Sequence, residues 1–90
     1  MIRAARLPAP ETNVQLHGFE VDLLWRDQKL VVEIDGYAFH STRRSFERDR
    51  RKDRELGAKG YRVLRLTWRE LTDEPEATVA AVAAALTRPA

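Results

Sequence analysis

Two short apolar runs, LVVEID (30–35) and YRVLRLTW (61–68), bracket a long charged segment beginning RRSFERDRRKDRELGAKG at residue 43. Runs of that length, rich in Val, Leu and Ile, read as strands, while the segment between them has the composition and length of a helix. Two strands joined by a helix of crossover length lie parallel, and the connection is right-handed. Most of the fold follows. There must be a sheet with at least two parallel neighbours and a helix, spanning roughly 42 to 58, packed across one face. The Gly57 to Gly60 region ends that helix.

The flanking sequence completes the sheet. FEVDLLW (19–25) precedes LVVEID by only the polar turn RDQK (26–29), so the two form an antiparallel hairpin. NVQL (13–16) and the dipeptide HG (17–18) read as a further short strand and tight turn; His17 is assigned no other role. After the last strand, TDEPE predicts a helix start with Asp73 as N-cap, Pro75 in the first turn and Glu76 at N3. The Ala-rich ATVAAVAAAL carries that helix to about Leu86. The expected order is β-β-β-α-β-α, an α/β domain with a mixed sheet: an antiparallel meander followed by a parallel crossover. Residues 1–12 read as an irregular lead-in, residues 13–87 as the core, and residues 1–90 as one domain. Cysteine is absent, which excludes a disulfide framework and any Cys-based zinc site. No apolar run approaches membrane-spanning length, and MIRAARLPAPET lacks the apolar centre of a signal peptide. A cytoplasmic chain is expected.

The net charge of +2 is uninformative until it is mapped. Between Arg43 and Lys59 eight Lys/Arg face four Asp/Glu, so this segment is +4 and the remainder −2. Positive charge gathered on one helix points to a polyanion, or else to an ordinary solvated face. The helical wheel places Phe46, Asp49, Asp53 and Leu56 on the inward side, and Arg44, Arg48, Arg51, Lys52 and Lys59 broadly opposite. Asp49 and Asp53 then need partners, for which Arg62, Arg65 and His40 are candidates, and they read best as ion-pair tethers between helix and strand.

The hairpin raises a sharper question. Alternation puts Phe19, Val21 and Leu23 on one side of their strand and Glu20, Asp22 and Leu24 on the other. If RDQK closes a regular hairpin, Trp25 faces Leu30, Asp22 faces Glu33 and Glu20 faces Asp35. Like charges in direct cross-strand register destabilise a sheet unless something neutralises them. A divalent cation such as Mg²⁺ would do so; a bulge that breaks the register, or nearby Arg side chains, would do so too.

Taken together and in order, VDLLW, LVVEIDGYAFH, FERDRRKD and GYRVLRLTWREL resemble the very-short-patch-repair-like endonuclease domains, including domain-of-unknown-function family 559, within the PD-(D/E)XK nuclease superfamily. The resemblance covers about residues 13 to 87. It implies a restriction-endonuclease-like core that hydrolyses DNA phosphodiester bonds with Mg²⁺ or Mn²⁺. Asp22 matches the motif Asp and Glu33 the acid of the (D/E)XK element. Asp35 stands where the superfamily usually has Lys, and would complete the metal shell with Asp22 and Glu33. His40 matches the His after the loop, as base or water ligand, though alone it would read as a loop residue bonding backbone. Arg43, Arg44, Arg48, Arg51 and Lys52 would meet the phosphate backbone. Tyr37 or Phe39 could wedge into DNA, whereas Trp25 and Trp68 read as packing residues. Many relatives carry an N-terminal helix whose Glu joins the site; here only MIRAARLP precedes the lead-in, and Glu11 is the available substitute. A sheet face left bare by that helix would favour a homodimer. The missing Lys and Glu also allow a different class, a binding module for nucleic acid or protein that keeps the fold without turnover.

Overall fold

The structure is a computed structural model, and it describes residues 7–36 and 43–88. Strands β1 (Glu11–Leu16), β2 (Phe19–Trp25) and β3 (Leu30–Asp35) are followed by helix α1 (Arg43–Ala58) and strand β4 (Arg62–Thr67). Two helices close the chain, α2 (Trp68–Asp73) and α3 (Pro75–Thr87). The four strands form one sheet in the order β1-β2-β3-β4, with β1–β2 and β2–β3 antiparallel and β3–β4 parallel. This is the mixed restriction-endonuclease-like sheet expected from the sequence. Trp25 pairs with Leu30, Leu24 with Val31 and Leu23 with Val32, so the hairpin begins in the predicted register. Among the described residues no helix is long and apolar enough to cross a membrane.

Local chemistry explains the boundaries. The β1–β2 turn is His17-Gly18, both at positive φ (52° and 88°), the combination a two-residue type I′ hairpin turn requires. Helix α1 closes in a Schellman arrangement: Tyr61 N–H donates to the Leu56 carbonyl and Gly60 N–H to the Gly57 carbonyl, with Gly60 at φ 92°. β1 starts at Glu11, two residues before the predicted strand, because the ladder to β2 continues through Glu11–Leu24.

The chain's last third departs from expectation. β4 stops at Thr67, whose hydroxyl accepts from Glu70 N–H while the Glu70 carboxylate accepts from Thr67 N–H. This capping box starts α2 at Trp68, and Asp73 becomes the last residue of that helix rather than an N-cap. Glu74 is the N-cap of α3, with Pro75 at N1 and no side-chain cap. Thr78 compensates in part, since its buried hydroxyl donates to the carbonyls of Glu70 and Glu74 and ties α3 to α2. Trp68, expected to pack, is 48% exposed.

The sheet separates two apolar clusters. On one face Leu16, Val21, Leu24 and Val31 pack on Leu56 of α1. On the other, Trp25, Leu30, Val32 and Leu66 pack on Val82 and Ala85 of α3, with Leu7 against them and the Trp25 indole donating to the Pro8 carbonyl at 2.7 Å. The expected bare face is therefore largely covered; an apolar groove of about 220 Å³ remains there, bordered by Leu7, Leu23, Ile34 and Val79. Val21 and Leu24 lie on the same face, so the predicted strict alternation in β2 slips at Asp22. Opposite Asp22 in the β1–β2 register stands Asn13, at φ 50°, a backbone conformation Asn tolerates better than most residues.

Leu56 is fully buried and is the apolar anchor α1 offers to the sheet cluster. Leu56→Ala is expected to lower unfolding stability by about 3 kcal/mol, the usual scale for a buried leucine. Urea denaturation followed by circular dichroism measures it, with an unchanged m-value expected.

Candidate functional site

Beyond Leu23–Val32 the regular ladder between β2 and β3 gives way to side-chain bonds. The Asp22 N–H donates to Glu33 Oε2 at 3.0 Å, and the Ile34 N–H donates to Asp22 Oδ2 at 2.8 Å. Strand amides point within the sheet toward the neighbouring strand. Each carboxylate therefore stands in the gap where a backbone carbonyl would otherwise be. The two predicted motif acids do meet across the hairpin, as reciprocal amide acceptors. Glu20 is exposed and does not join them.

The neutralising charge comes from α1. Lys52 Nζ donates to Glu33 Oε1 at 2.5 Å and to the Glu20 carbonyl at 2.7 Å, and its side chain is only 12% exposed. It lies on the inward face, not on the outer basic stripe where the helical wheel places it. Its orientation is nevertheless readable from the sequence: at 100° per residue Lys52 sits about 40° from Leu56 and Phe46 about 80°. Once Leu56 defines the inward direction, Lys52 belongs to it and Phe46 is marginal. Phe46, expected in the core, is 58% exposed, with the Arg50 guanidinium 5.0 Å from its ring.

A second group of acids gathers around Arg65 of β4. Its guanidinium forks onto Asp53 at 2.7 and 3.1 Å, and reaches Asp35 at 3.3 Å and Asp49 at 3.8 Å. The hydrogen bonds to Asp53 hold the Arg65 guanidinium above the ordinary arginine range, against the opposing effect of burial. Asp49 and Asp53 are thus helix-to-strand tethers, as expected, with Arg65 as the partner. Arg62 faces elsewhere, donating to the carbonyls of Ala85 and Gln28. A groove of about 540 Å³ opens over this group, bordered by Asp35, Asp49, Asp53, Arg65, Arg43 and Phe46.

The other predicted site residues lie apart from these two groups. Arg44, Arg48 and Arg51 stand exposed on the outer side of α1, bordering a shallow depression with Arg50, Arg54 and Glu47. Arg43 and Arg51 also make helix-surface pairs with Glu47 and Glu55. Glu11, the substitute for an upstream acid, is taken by a two-pronged pair with Arg26, both contacts at 2.8 Å. Hydrogen bonding from Arg26 lowers the Glu11 carboxyl below its usual range, so this pair holds at neutral pH and is lost as pH falls through that lowered value. His40, Tyr37 and Phe39 lie outside the described residues.

Among the described residues no three His, Asp or Glu side chains are grouped as a metal-binding set. The donor chemistry is divided. Glu33 has an amide on one oxygen and an ammonium on the other, whereas Asp22 Oδ1 and Asp35 Oδ2 bond no described residue. Asp22 Oδ2 accepts from the amide of Ile34, immediately before Asp35 in β3, so the two residues are near neighbours across the β2–β3 gap.

A parallel βαβ unit beside an antiparallel hairpin is the mixed-sheet arrangement of a restriction-endonuclease-like domain. The chain belongs to the REase_MTES_1575 family, whose model matches residues 2–86. Among solved structures it is similar to the catalytic domain of the homing endonuclease I-Bth0305I, at 27% identity and a TM-score of 0.76, over 93% of this chain and 84% of that one. No curated protein matches it.

Arg65 joins β4 to both α1 and β3, and its side chain is 24% exposed. Arg65→Ala should lower unfolding stability by about 1–2 kcal/mol, the scale of charge-assisted hydrogen bonds discounted for partial exposure. Arg65→Lys should recover only part of that, because an ammonium cannot fork onto Asp53. Thermal and urea melts of the two variants compare these outcomes.

Proposed function

We propose that this domain is a metal-dependent endonuclease that hydrolyses phosphodiester bonds in DNA. The observation that carries the reading is the gap in the β2–β3 ladder. It fixes Asp22 by Oδ2 on the amide of Ile34, the residue before Asp35, and leaves Oδ1 uncommitted among the described residues. Membership of a restriction-endonuclease-like family and similarity to a homing endonuclease catalytic domain support it. The resemblance of four sequence motifs to the very-short-patch-repair-like domains supports the same reading.

Asp22 and Asp35 are the residues suited to hold the cation, since a hard dication prefers carboxylate oxygens that no other described group has claimed. Bound there, Mg²⁺ or Mn²⁺ would polarise the scissile phosphate and make a coordinated water more acidic. Glu33 serves the site by fixing Asp22, its own charge being matched by Lys52. Arg65 orients Asp35. His40 is the candidate to take the proton of the attacking water at a ring nitrogen, a neutral imidazole being available near pH 7. Arg44, Arg48 and Arg51 would hold the phosphate backbone through counterion release, without reading sequence.

Asp22→Asn tests the assignment with little risk to the fold, because the amide oxygen can still accept the Ile34 N–H. Cleavage of duplex DNA with Mn²⁺ is expected to fall by about a thousandfold or more, with the melting temperature nearly unchanged. Unaltered cleavage would remove Asp22 from the chemistry. For the arginines, Arg48→Ala should weaken DNA binding about equally across sequences and reduce the slope of log K against log salt by roughly one. Fluorescence anisotropy across a salt series measures it.

One observation favours a second reading, a nucleic-acid-binding module without turnover: Glu33 and Asp35 already have cationic partners within the chain. Calorimetric titration with Mn²⁺ separates the two. Binding at sub-millimolar concentration that Asp22→Asn abolishes supports the enzyme, and no binding supports the module.

A further inference from the structure

We propose that Lys52 is the positioning residue of the site. It acts through Glu33 to hold β2 and β3 apart at Asp22, and so sets where the Asp22 carboxylate stands. As regards catalysis the inference rests on the endonuclease reading; as regards geometry it does not.

Glu33 is 8% exposed and lies among the strands, so its carboxylate needs donors for both oxygens. Asp22 N–H serves Oε2 and Lys52 serves Oε1. A backbone amide alone leaves the negative charge uncompensated, and an unpaired buried charge costs more than most single contacts return. Without the ammonium, Glu33 is driven out of the gap toward water. Asp22 N–H then loses its acceptor, and the nearest replacement is the β3 carbonyl that a regular antiparallel ladder would provide. Closing the ladder expels the Asp22 carboxylate from the Ile34 amide. The Asp22 carboxylate therefore owes its position to a cation on another element.

Lys52 is suited to this role on two counts. Its second bond, to the Glu20 carbonyl, attaches α1 to β2 on the far side of the gap from Glu33, so one ammonium spans the opening. It also lies one helical turn before Leu56, the buried anchor of α1, which fixes the height of the side chain over the sheet. The exposed cations of α1 contrast with it: Arg43 and Arg51 pair along the helix surface, with side chains 92% and 67% exposed.

The test compares Lys52→Met, Lys52→Arg and the double variant Lys52→Met/Glu33→Gln. The first readout is independent of cleavage: the ¹H–¹⁵N resonances and solvent exchange of the Asp22 and Ile34 amides. In Lys52→Met both resonances should shift and exchange at least about tenfold faster, while the amides of Leu24 and Val31 hold. In the double variant a neutral Gln can stay in the gap and accept the Asp22 N–H, so both amides should return toward their original positions. Lys52→Arg keeps the charge and should keep both amides near theirs, which preserves the test if Lys52→Met does not fold.

The second readout is Mn²⁺-dependent cleavage. Lys52→Met should lower kcat by about tenfold or more with little change in KM for DNA, and the double variant should recover most of it. Amides that ignore Lys52→Met overturn the proposal. So does a double variant whose amides recover while cleavage stays absent, because Lys52 would then act on the reacting atoms. If the unaltered protein cleaves nothing while the amides respond as described, the endonuclease reading fails and the positioning role stands.

Discussion

The reciprocal bonding of Asp22 and Glu33 to each other's strands is the interaction on which the rest of the site depends. Two adjacent carboxylates on paired strands are ordinarily a liability, since like charges in register repel and burial removes the water that would screen them. Here the repulsion is met by giving each acid a backbone amide and one of them an ammonium. The consequence is a stretch of missing ladder between β2 and β3, and it falls at the end of the hairpin beyond the core pairs Leu23–Val32, Leu24–Val31 and Trp25–Leu30. The apolar half of the hairpin holds the register, and the polar half is where the ladder opens.

That division reaches into β1 as well. A sheet that opens at one point must still present apolar side chains to helices on both faces. The change of phase at Asp22 puts Val21 under α1 and Leu23 toward α3, and Asn13 takes a left-handed conformation in the register position opposite. Backbone strain beside the candidate acid is absorbed by a residue type that bears it at low cost. The opening is thus a feature shared by three strands rather than a local defect in one.

Much of the fold is legible in the sequence because it rests on period and length. The runs at 19–25 and 30–35, the four-residue turn between them and the helix of crossover length permit few topologies, and the observed sheet is the expected one. The departures have separate causes. α2 arises from a capping box at Thr67 and Glu70, a signal present in the sequence but masked by the stronger helix start at Pro75 a few residues later. Lys52 and Phe46 fall on unexpected sides because a wheel drawn by charge and apolarity averages over the helix, whereas its rotation is set by one residue, Leu56. That Asp22 and Glu33 meet is readable from turn length. How they are neutralised is not, because the cation lies 19 residues away from Glu33 on another element.

Asp35, which stands where the resemblance calls for a lysine, meets the same electrostatic constraint. An acid at that position adds negative charge to a strand end that already carries Glu33, and a sheet cannot leave the excess unanswered. The answer comes from both neighbours of β3. Lys52 comes from α1 to Glu33, and Arg65, directly beside Glu33 in the parallel register, comes from β4 to Asp35. Arg65 is shared with Asp49 and Asp53, so its group holds more negative than positive charge, whereas Lys52 and Glu33 match one to one. Under the proposed endonuclease reading, a dication would find the stronger attraction at Asp35 and the firmer scaffold at Asp22. An acid at this position is in this way compatible with the proposed cation site, provided the matching cations come from elements that, among the described residues, leave Asp22 Oδ1 and Asp35 Oδ2 unclaimed.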